Sequence, residues 1–564
     1  MSVSDGARAA SPGLSAGAPA ARRVHSAPGS PSAVRSLLDV SQWTGYAWGA
    51  IAATAAFVAM TCWWLSQDHS IPIYDAGDHL ETVLQFHSMI AAGSLLGPFN
   101  HVSVYPPLGL LVGAVGVFIG GVGVSAPIIA ENLVFVSLLA LGCYRTGRLL
   151  FGSAAGMLAV IFVLGSPLLI EQLHVYMLDA PMTALVAVTI WLLLASEDFG
   201  RTDIAAFAGL AAGAGMLIKV QFALYVAGLV LVMLLRGGWR NRRGLGAFLL
   251  PAIVIAVPWY IDHISEIGVM LEVASPNGGG PGVVTPVPGN VPPTLSIRNF
   301  LWYFWSVLNS QLLALLFALA VGGALWMIVA FVRGRETSRG RLELLLGCFL
   351  TWLIITLTPH HDVRYGMPLL AYVAVIATGW IVCLPRTPRL AAIVLLALGV
   401  GANTLGITFG VGREATVALA GRLPATQQLP DRVIFYATKG FLTAGPMRDG
   451  DVPDLLKALH REGIRTLVVS LEQGALPDFS FEGILPLAQI AGLTPAITNR
   501  PEFSLSPKVA TLVHEPVTRG ARPTCTRVSD GTGVWVVRYD PAARKLALYC
   551  PYRSPKFYDA GRIS

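Results

Sequence analysis

The sequence predicts a polytopic α-helical membrane protein of about eleven transmembrane helices, with a small extracytoplasmic α/β domain at its C-terminal end. The first observation is composition: 54% of the 564 residues are hydrophobic, 13% are charged, and the mean hydropathy is +0.63. Soluble proteins carry about 25% charged residues, so an ordinary cytoplasmic enzyme is excluded. The second is a series of apolar runs near bilayer length with arginine clusters between them. The third is a polar C-terminal part with short β-like runs.

Residues 1–40 are rich in Ala, Ser, Gly and Pro and lack apolar periodicity, so they are predicted to form a disordered cytoplasmic tail. No signal-peptide pattern precedes the first apolar run, which is therefore expected to direct insertion itself. Eleven runs have the length of a membrane span. They are 45–65, 126–145, 154–172, 179–196, 204–218, 220–236, 245–262, 304–332, 342–358, 366–384 and 389–410. A twelfth run, 105–121, begins with Tyr105-Pro106-Pro107 and is rich in glycine.

The arginine clusters decide whether this twelfth run crosses the membrane. With the N-terminus inside and 105–121 not crossing, every strongly basic connector lies in the cytoplasm, as the positive-inside rule requires. If the run crossed, all the clusters would face outward. They are Arg145 with Arg148; Arg236 with Arg240, Arg242 and Arg243; Arg333 with Arg335, Arg339 and Arg341; and Arg386 with Arg389. We therefore expect an interfacial or re-entrant helix at 105–121. Because the net charge of +7 lies in these clusters, it does not indicate a nucleic-acid partner.

This topology makes three segments extracytoplasmic: the loop 66–125, the loop 263–303, and everything after about residue 410. Residues 41–410 form the predicted transmembrane domain, within which the loop 66–125 is expected to hold interfacial helices.

Residues 411–564 form the predicted extracytoplasmic domain, because short β-like runs alternate there with a helical stretch. The predicted strands are Arg432–Ala437, Thr466–Ser470, Val534–Arg538 and Lys545–Tyr549, and the predicted helix is Val452–Glu462. Cys525 and Cys550 both lie in this domain, where an oxidising compartment permits a disulfide between them.

Ionisable residues at the ends of membrane helices are costly, which makes them candidates for a functional site. Asp75, Asp78 and Glu81 put three acids within seven residues of the first outer loop. Asp78, Glu81 and Gln85 share one face of a helix. The alternative is a solvated amphipathic helix on the membrane surface. Against it, three acids gain nothing electrostatically beside an anionic bilayer.

Other candidates are distant in sequence but fall on the same side of the membrane. Asp179 and Glu171 lie at the outer turn between the third and fourth crossings. Asp179 is either a site residue or only the N-cap of a helix. Lys219, between the fifth and sixth crossings, is the only lysine before Lys439, which argues against a chance snorkelling residue. Arg364 joins the ninth and tenth crossings.

The segment His360-His361-Asp362 precedes Arg364 and raises the question of a metal. Adjacent residues rarely hold one ion together, so no metal site is predicted. No cofactor is assigned, and dependence on a divalent metal stays open.

Acids together with two cations at the lipid boundary suit group transfer from a lipid phosphate. Lys219 and Arg364 would bind a phosphate or diphosphate head group, the arginine through its bidentate fork. A carboxylate opposite them would deprotonate the attacking hydroxyl. The pattern therefore predicts group transfer at the outer leaflet.

Five motifs, in order along the chain, resemble those of a known family. They are the acidic motif of the first outer loop, Tyr105-Pro106-Pro107-Leu108, Leu178-Asp179-Ala180-Pro181, Gly215-Met216-Leu217-Ile218-Lys219 and Arg364-Tyr365-Gly366-Met367-Pro368. Over roughly residues 40–410, the chain resembles the GT-C membrane glycosyltransferases, in the branch of the protein O-mannosyltransferases and aminoarabinose transferases. The resemblance implies the GT-C fold and a polyprenyl-phosphate-linked sugar as donor.

The resemblance also implies an inverting transfer with assigned roles. Asp78 is the expected base that activates the acceptor hydroxyl. Lys219 and Arg364 are expected to stabilise the departing phosphate, and Asp179 to orient the acceptor or the sugar.

The family's Asp-Glu pair corresponds here to Asp78-His79, so the second acid is replaced, or is supplied by Asp75 or Glu81. The identity of the base is therefore open. Residues expected to line the substrate or lipid groove are His79, Glu81, Tyr105, Pro106, Pro107, His361 and Tyr365.

The sugar and the acceptor also stay open, the acceptor being a glycan, a glycolipid or a protein hydroxyl. Heavy use of Arg, Ala and Gly with little Lys favours a bacterial cell membrane as the location. The main alternative is a transporter or flippase of lipid-linked sugars, but such proteins tend to show internal repeats and midplane polar sites. A ligase using a diphosphate-linked oligosaccharide would need more cations in the loop 263–303, where we find only Arg298. A further alternative is a glycan-binding scaffold without activity.

Overall fold

A computed structural model describes most of the predicted membrane region and part of the C-terminal region. The described residues are 44–68, 72, 75–103, 105–273, 295–334, 338–358, 361–411, 457, 460, 466–469, 481–497, 536–540 and 545–549. The predicted tail 1–40, the strand Arg432–Ala437, all of the helix Val452–Glu462 except Lys457 and His460, and both Cys525 and Cys550 lie outside them.

Within these residues the chain is mostly helical. The first helices are α1 (Gly45–Gln67), α2 (Asp75–Ala91), α3 (Pro107–Gly120), α4 (Ser125–Phe151), α5 (Ser153–Leu164), α6 (Pro167–Gln172), α7 (Asp179–Ala195), α8 (Thr202–Met216) and α9 (Phe222–Leu235). They are followed by α10 (Arg242–Asp262), α11 (Ile264–Val273), α12 (Ile297–Ser306), α13 (Leu313–Val332), α14 (Arg339–Thr356), α15 (Leu370–Gly379), α16 (Arg386–Phe409) and α17 (Phe481–Ile490).

Each of the eleven predicted runs contains a helix, and the twelfth forms α3 directly after Pro106. In the part of the chain described, six helical stretches are long and apolar enough to cross a membrane. They are Gly45–Gln67, Ser125–Phe151, Arg242–Asp262, Asn299–Val332, Val363–Cys383 and Arg386–Phe409. The helices of the other runs are shorter, as α5 is, or more charged, as α14 is with Arg339, Arg341 and Glu343. The number of eleven crossings therefore stays a prediction.

Two of the predicted runs are broken. The run 154–172 divides after Leu164, because Pro167 disfavours a helical conformation at Ser166, whose backbone is extended. A new short helix, α6, then begins. The run 304–332 contains a π-helical turn, Val307–Leu312, followed by Leu313 with φ of 55°. Such irregular turns in membrane helices occur often at functional sites.

The helix α7 is the centre of the bundle, since every one of its residues is buried. It packs against α4, α8 and the segment around Arg364. The contact with α4 is close because Gly142 has no side chain: a Cβ there would lie 2.5 Å from the carbonyl carbon of Ala187. Small residues at such crossings allow membrane helices to approach each other closely.

In the C-terminal region, β1 (Thr466–Val469) pairs in parallel with β2 (Thr494–Ile497), and α17 lies between them in sequence. The strands β3 (Val536–Asp540) and β4 (Lys545–Tyr549) pair in antiparallel orientation. The predicted strand Lys545–Tyr549 is confirmed with its bounds, and the described residues of the predicted strands Thr466–Ser470 and Val534–Arg538 lie in β1 and β3. The α/β domain as a whole stays a prediction. The helix α17 packs against α2, the helix that begins at Asp75.

Candidate active site

Four of the predicted site residues meet in one cluster of charges. Lys219 Nζ lies 2.9 Å from Asp179 Oδ1, and Arg364 Nη1 lies 2.8 Å from Asp75 Oδ2. Arg364 Nη1 is also 3.9 Å from Asp179 Oδ2, which joins the two ion pairs. The four residues come from four separate segments, so the fold assembles the cluster.

Helix ends and short connectors place these side chains. Asp75 and Asp179 are the first residues of α2 and α7, where the helix dipole favours an acid. Lys219 lies in the turn between α8 and α9, and Phe222 N donates to its carbonyl oxygen. Arg364 lies in a 3₁₀ segment, Val363–Leu369.

Two contacts fix the connectors that carry the cations. Leu108 N donates to Leu217 O over 3.0 Å, so the Tyr-Pro-Pro-Leu motif is tied directly to the motif that ends at Lys219. Tyr225 Oη donates to Tyr365 O over 2.8 Å, which joins the helix after Lys219 to the segment of Arg364. Sequence motifs that are far apart along the chain therefore form one framework.

Asp362 also belongs to the cluster, although the sequence drew attention to it only as a metal-ligand candidate. Its Oδ2 lies 3.1 Å from Arg364 Nη2, and its Oδ1 accepts from Arg364 Nε over 3.2 Å. Oδ1 also accepts from the backbone N–H of Arg364 over 2.9 Å. The sequence did contain a signal for this contact, since Asp362 lies only two residues before Arg364.

The cluster therefore contains three carboxylates against two cations. Burial is uneven: the side chains of Asp179 and Lys219 are 0% and 4% exposed, while those of Asp75 and Arg364 are 36% and 22% exposed. We call Asp179 with Lys219 the floor pair and Asp75 with Arg364 the rim pair. Asp179 Oδ2 is enclosed and has no hydrogen-bond partner among the described residues.

The rim pair keeps Asp75 ionised. Burial, the largest single influence, would raise the pKa of its carboxyl group, but the charge and the hydrogen bond of Arg364 and the other nearby charges together outweigh burial, so the pKa is lowered. Asp75 is therefore a weak base that is held by an arginine.

His79 stands where the resemblance leads one to expect a second acid. Burial lowers the pKa of its ring to about 3, so the ring is neutral at ordinary pH. It meets the Tyr105 ring edge-on, with the centroids 4.5 Å apart, and Lys219 Nζ lies 5.9 Å from the centroid of the same tyrosine. His79 and Tyr105 thus form an uncharged wall beside the cations.

Other predicted residues lie around this centre. Asp78 is half-buried one helical turn beyond Asp75, and its carbonyl accepts from Thr82 Oγ1. Pro107 is the first residue of α3, and Pro106 precedes it as the N-cap. His361 packs between Trp302 and Tyr303, with ring centroids 5.1 and 5.2 Å away.

Glu81 points to a different region. Its Oε1 accepts from Gln85 Nε2 at 3.1 Å and lies 3.5 Å from Gln489 Nε2 of α17. It therefore helps to fasten the C-terminal helix to α2. The described residues contain no group of three His, Cys, Asp or Glu side chains arranged to hold a metal ion.

The profile of the family described as dolichyl-phosphate-mannose-protein mannosyltransferase matches residues 104–261. The match includes Tyr105, Asp179 and Lys219 but ends before Arg364. No curated protein sequence matches the chain.

Among solved structures, the chain is similar to ArnT from Cupriavidus metallidurans. The form bound to undecaprenyl phosphate aligns with a TM-score of 0.53 and 16% identity, over 80% of this chain and 86% of ArnT. The apo form aligns with a TM-score of 0.52 and 16% identity, over 79% and 85%. The fold is that of the GT-C glycosyltransferases. The sequence-based expectation of a GT-C fold is therefore confirmed, and the chain is a multi-pass membrane protein.

Proposed function

We propose that this GT-C protein transfers a sugar from a polyprenyl-phosphate donor to an acceptor hydroxyl on the outer face of a bacterial cytoplasmic membrane, with inversion at the anomeric carbon. The observation that carries the proposal is the charge cluster, in which two cations and an accessible carboxylate meet at the ends of membrane helices. The ArnT structure bound to undecaprenyl phosphate supports the donor class by analogy of fold.

The donor phosphate would bind at Arg364, within reach of Lys219. The site already contains one more acid than cations, so a phosphate must displace a carboxylate from Arg364. Asp362 is held by three contacts from Arg364, and Asp179 is enclosed and held by Lys219. Asp75 is the most exposed of the three, which makes it the one that phosphate replaces.

Displacement would make Asp75 a better base. Once Arg364 turns to the phosphate, the contact that lowers the pKa of Asp75 is lost, and burial raises the pKa of this carboxyl group. Asp75 then accepts the proton of the acceptor hydroxyl as that oxygen attacks the anomeric carbon. The bond from the sugar to the phosphate breaks, and Arg364 and Lys219 stabilise the charge that develops on the departing polyprenyl phosphate.

Asp179 has two tasks in this scheme. Its Oδ1 holds Lys219 in place at 2.9 Å. Its Oδ2 is an enclosed acceptor without a hydrogen-bond partner among the described residues, which suits a hydroxyl of the bound sugar or acceptor. Removal of this oxygen's charge would therefore weaken both cation placement and sugar orientation.

The test is turnover of a panel of polyprenyl-phosphate sugars by the full chain in lipid nanodiscs, with envelope extract as a source of acceptor. Asp75→Asn is expected to lower turnover by about 10²–10⁴-fold, the range of a general base. Asp78→Asn is the matched control on the same helix, one turn away, and is expected to lower turnover much less.

A large loss with Asp78→Asn and little loss with Asp75→Asn would reverse the assignment of the base. Intact donors in every reaction of the unmodified protein would contradict the glycosyltransferase. Transbilayer movement of the intact lipid-linked sugar would then favour a flippase.

A further inference from the structure

Glu171 is a fourth acid beside the cluster that the proposed chemistry does not use. It lies near the end of α6, the short helix that follows the broken run after Leu164. The helix α6 contacts both the 3₁₀ segment of Arg364 and the π-helical turn Val307–Leu312. The short helix that begins after Ser166 therefore brings Glu171 towards the segment that carries Arg364.

One of its carboxylate oxygens is in an unusual position. Oε2 of Glu171 is enclosed and has no hydrogen-bond partner among the described residues. Gln172 supplies a side-chain hydrogen bond to the carboxyl group. An enclosed carboxylate oxygen without a donor is costly; a proton on it removes the cost of the buried charge, and a ligand that accepts from the resulting O–H removes the rest.

The charged groups that face Glu171 are Arg364 and Asp362. The hydrogen bonds of the Arg364 guanidinium go to Asp75 and Asp362, so the arginine acts on Glu171 through its charge. From α7, Asp179 is directed towards Lys219.

The remaining elements packed on α6 bring no nearby charge in the described chain. The helix α5 carries none, and the π-helical turn presents the uncharged Asn309, Ser310 and Gln311. The arginines of α16 lie at its beginning, whereas Asn403, near its other end, donates to Gly165 O beside α6.

Burial is the largest influence on Glu171, and Asp362 adds to it, while Gln172 and Arg364 oppose it. Together they raise the pKa of Glu171 from its ordinary value to about 7. The carboxyl group therefore passes between its acid and ionised forms at little cost in free energy near neutral pH.

The charge balance of the site connects the protonation of Glu171 to phosphate binding. Asp75, Asp179 and Asp362 already outnumber Lys219 and Arg364 by one, and a bound phosphate adds a further negative charge. An ionised Glu171 beside Arg364 would repel that phosphate, whereas the protonated form is neutral and has an O–H to donate. Phosphate binding must therefore favour the protonated form.

We propose that Glu171 takes up one proton from solvent when a polyprenyl phosphate binds at Arg364 and, as a carboxylic acid, donates a hydrogen bond from Oε2 to a phosphate oxygen. This rests on the proposed function, because it assumes that the lipid phosphate binds at Arg364. Glu171 is then a binding residue that makes affinity for the lipid phosphate depend on pH.

The direction of this dependence follows from the raised pKa. Below about pH 7 Glu171 is already protonated in the empty site, and binding needs no proton. Above it, each pH unit lowers the protonated fraction about tenfold. The titration of Glu171 should therefore lower the affinity by roughly tenfold between pH 6 and pH 8, while His79 stays neutral throughout.

The experiment measures binding of undecaprenyl phosphate to the full chain in nanodiscs at pH 6 and pH 8, for the unmodified protein and for Glu171→Gln. The glutamine has the shape of the protonated acid and cannot ionise. The second proton of the phosphate probe itself titrates near pH 6, which affects both proteins equally. The ratio of their affinities is therefore the quantity that reports on Glu171.

We expect this ratio to change roughly tenfold across the two pH values. As a second readout, infrared difference spectra at pH 8 should show a carboxylic-acid band that appears on binding in the unmodified protein and is absent from Glu171→Gln. An unchanged ratio together with no such band would overturn the role of Glu171 while leaving the proposed function intact. Absence of binding and of donor turnover in the unmodified protein would overturn both.

Discussion

The distance between the nitrogen and oxygen atoms is nearly the same in the floor pair, 2.9 Å, and in the rim pair, 2.8 Å, but the surroundings of the two pairs differ. The floor pair is almost completely enclosed, so separating Lys219 from Asp179 would leave an unpaired charge away from water. The rim pair is reached by solvent, so Asp75 and Arg364 exchange partners at little cost. The contrast assigns a fixed, supporting role to the floor and a changeable role to the rim.

The largest effect should come from breaking the floor pair. Lys219→Met leaves Asp179 buried without its main partner, and we expect a loss of about 3–5 kcal/mol in the free energy of unfolding. Denaturant unfolding of the detergent-solubilised protein measures it. The double variant Asp179→Asn with Lys219→Met removes both charges and should recover much of the loss. If the double variant is as unstable as Lys219→Met, the enclosed charge is not the cause.

A smaller effect should come from altering the geometry of the rim. Arg364→Lys keeps the charge but loses the fork that contacts Asp75 and Asp362 together. We expect undecaprenyl phosphate to bind roughly tenfold more weakly, the equivalent of about one charge-assisted hydrogen bond. Equal affinity of Arg364→Lys and the unmodified protein would show that the phosphate senses only charge at this position.

The smallest effect should be on stability when the rim pair is removed. Asp75→Asn should change the free energy of unfolding by less than about 1 kcal/mol, because the pair is partly solvated. Since the pKa of Asp75 is lowered in the folded protein, its contribution is present at neutral pH and is lost as the pH falls through the folded-state pKa. Unfolding curves at neutral and acid pH for both proteins measure this. A loss as large as that of Lys219→Met would remove the distinction between floor and rim.

The sequence drew attention to the residues of the charge cluster, but it did not predict the contacts among them. Lys219 stood out because lysine is otherwise absent from the membrane region, and Asp179 and Arg364 stood out as charges at the outer ends of apolar runs. All three lie in the cluster. The choice between Asp75 and Asp78 was not predictable, since both lie in the first turn of α2 and only the position of Arg364 distinguishes them.

Asp362 and Glu81 show the limits of the sequence in opposite directions. Asp362 was considered only as a metal-ligand candidate, but the turn before α15 directs both its oxygens to Arg364. Glu81 shares a helix with Asp75 and stays a predicted groove residue, and the sequence did not predict its contact with Gln489 of α17. A pairing between residues about four hundred positions apart leaves no local pattern, because it depends on how two helices dock.

The sequence by itself determined the apolar runs, their helical character and the positions of the charges along them. Backbone groups in lipid must be hydrogen-bonded within a helix, and a charged side chain in lipid is costly, so both leave a clear pattern in the sequence. It also carried the ordered motifs behind the GT-C resemblance. Only the tertiary structure decided which charges pair, that the floor pair is enclosed while the rim pair is partly exposed, and that Oε2 of Glu171 is enclosed without a hydrogen-bond partner among the described residues. These properties depend on the distances between side chains of segments that are remote in sequence, and on how far those segments exclude water from each other. No single segment of the sequence encodes either quantity.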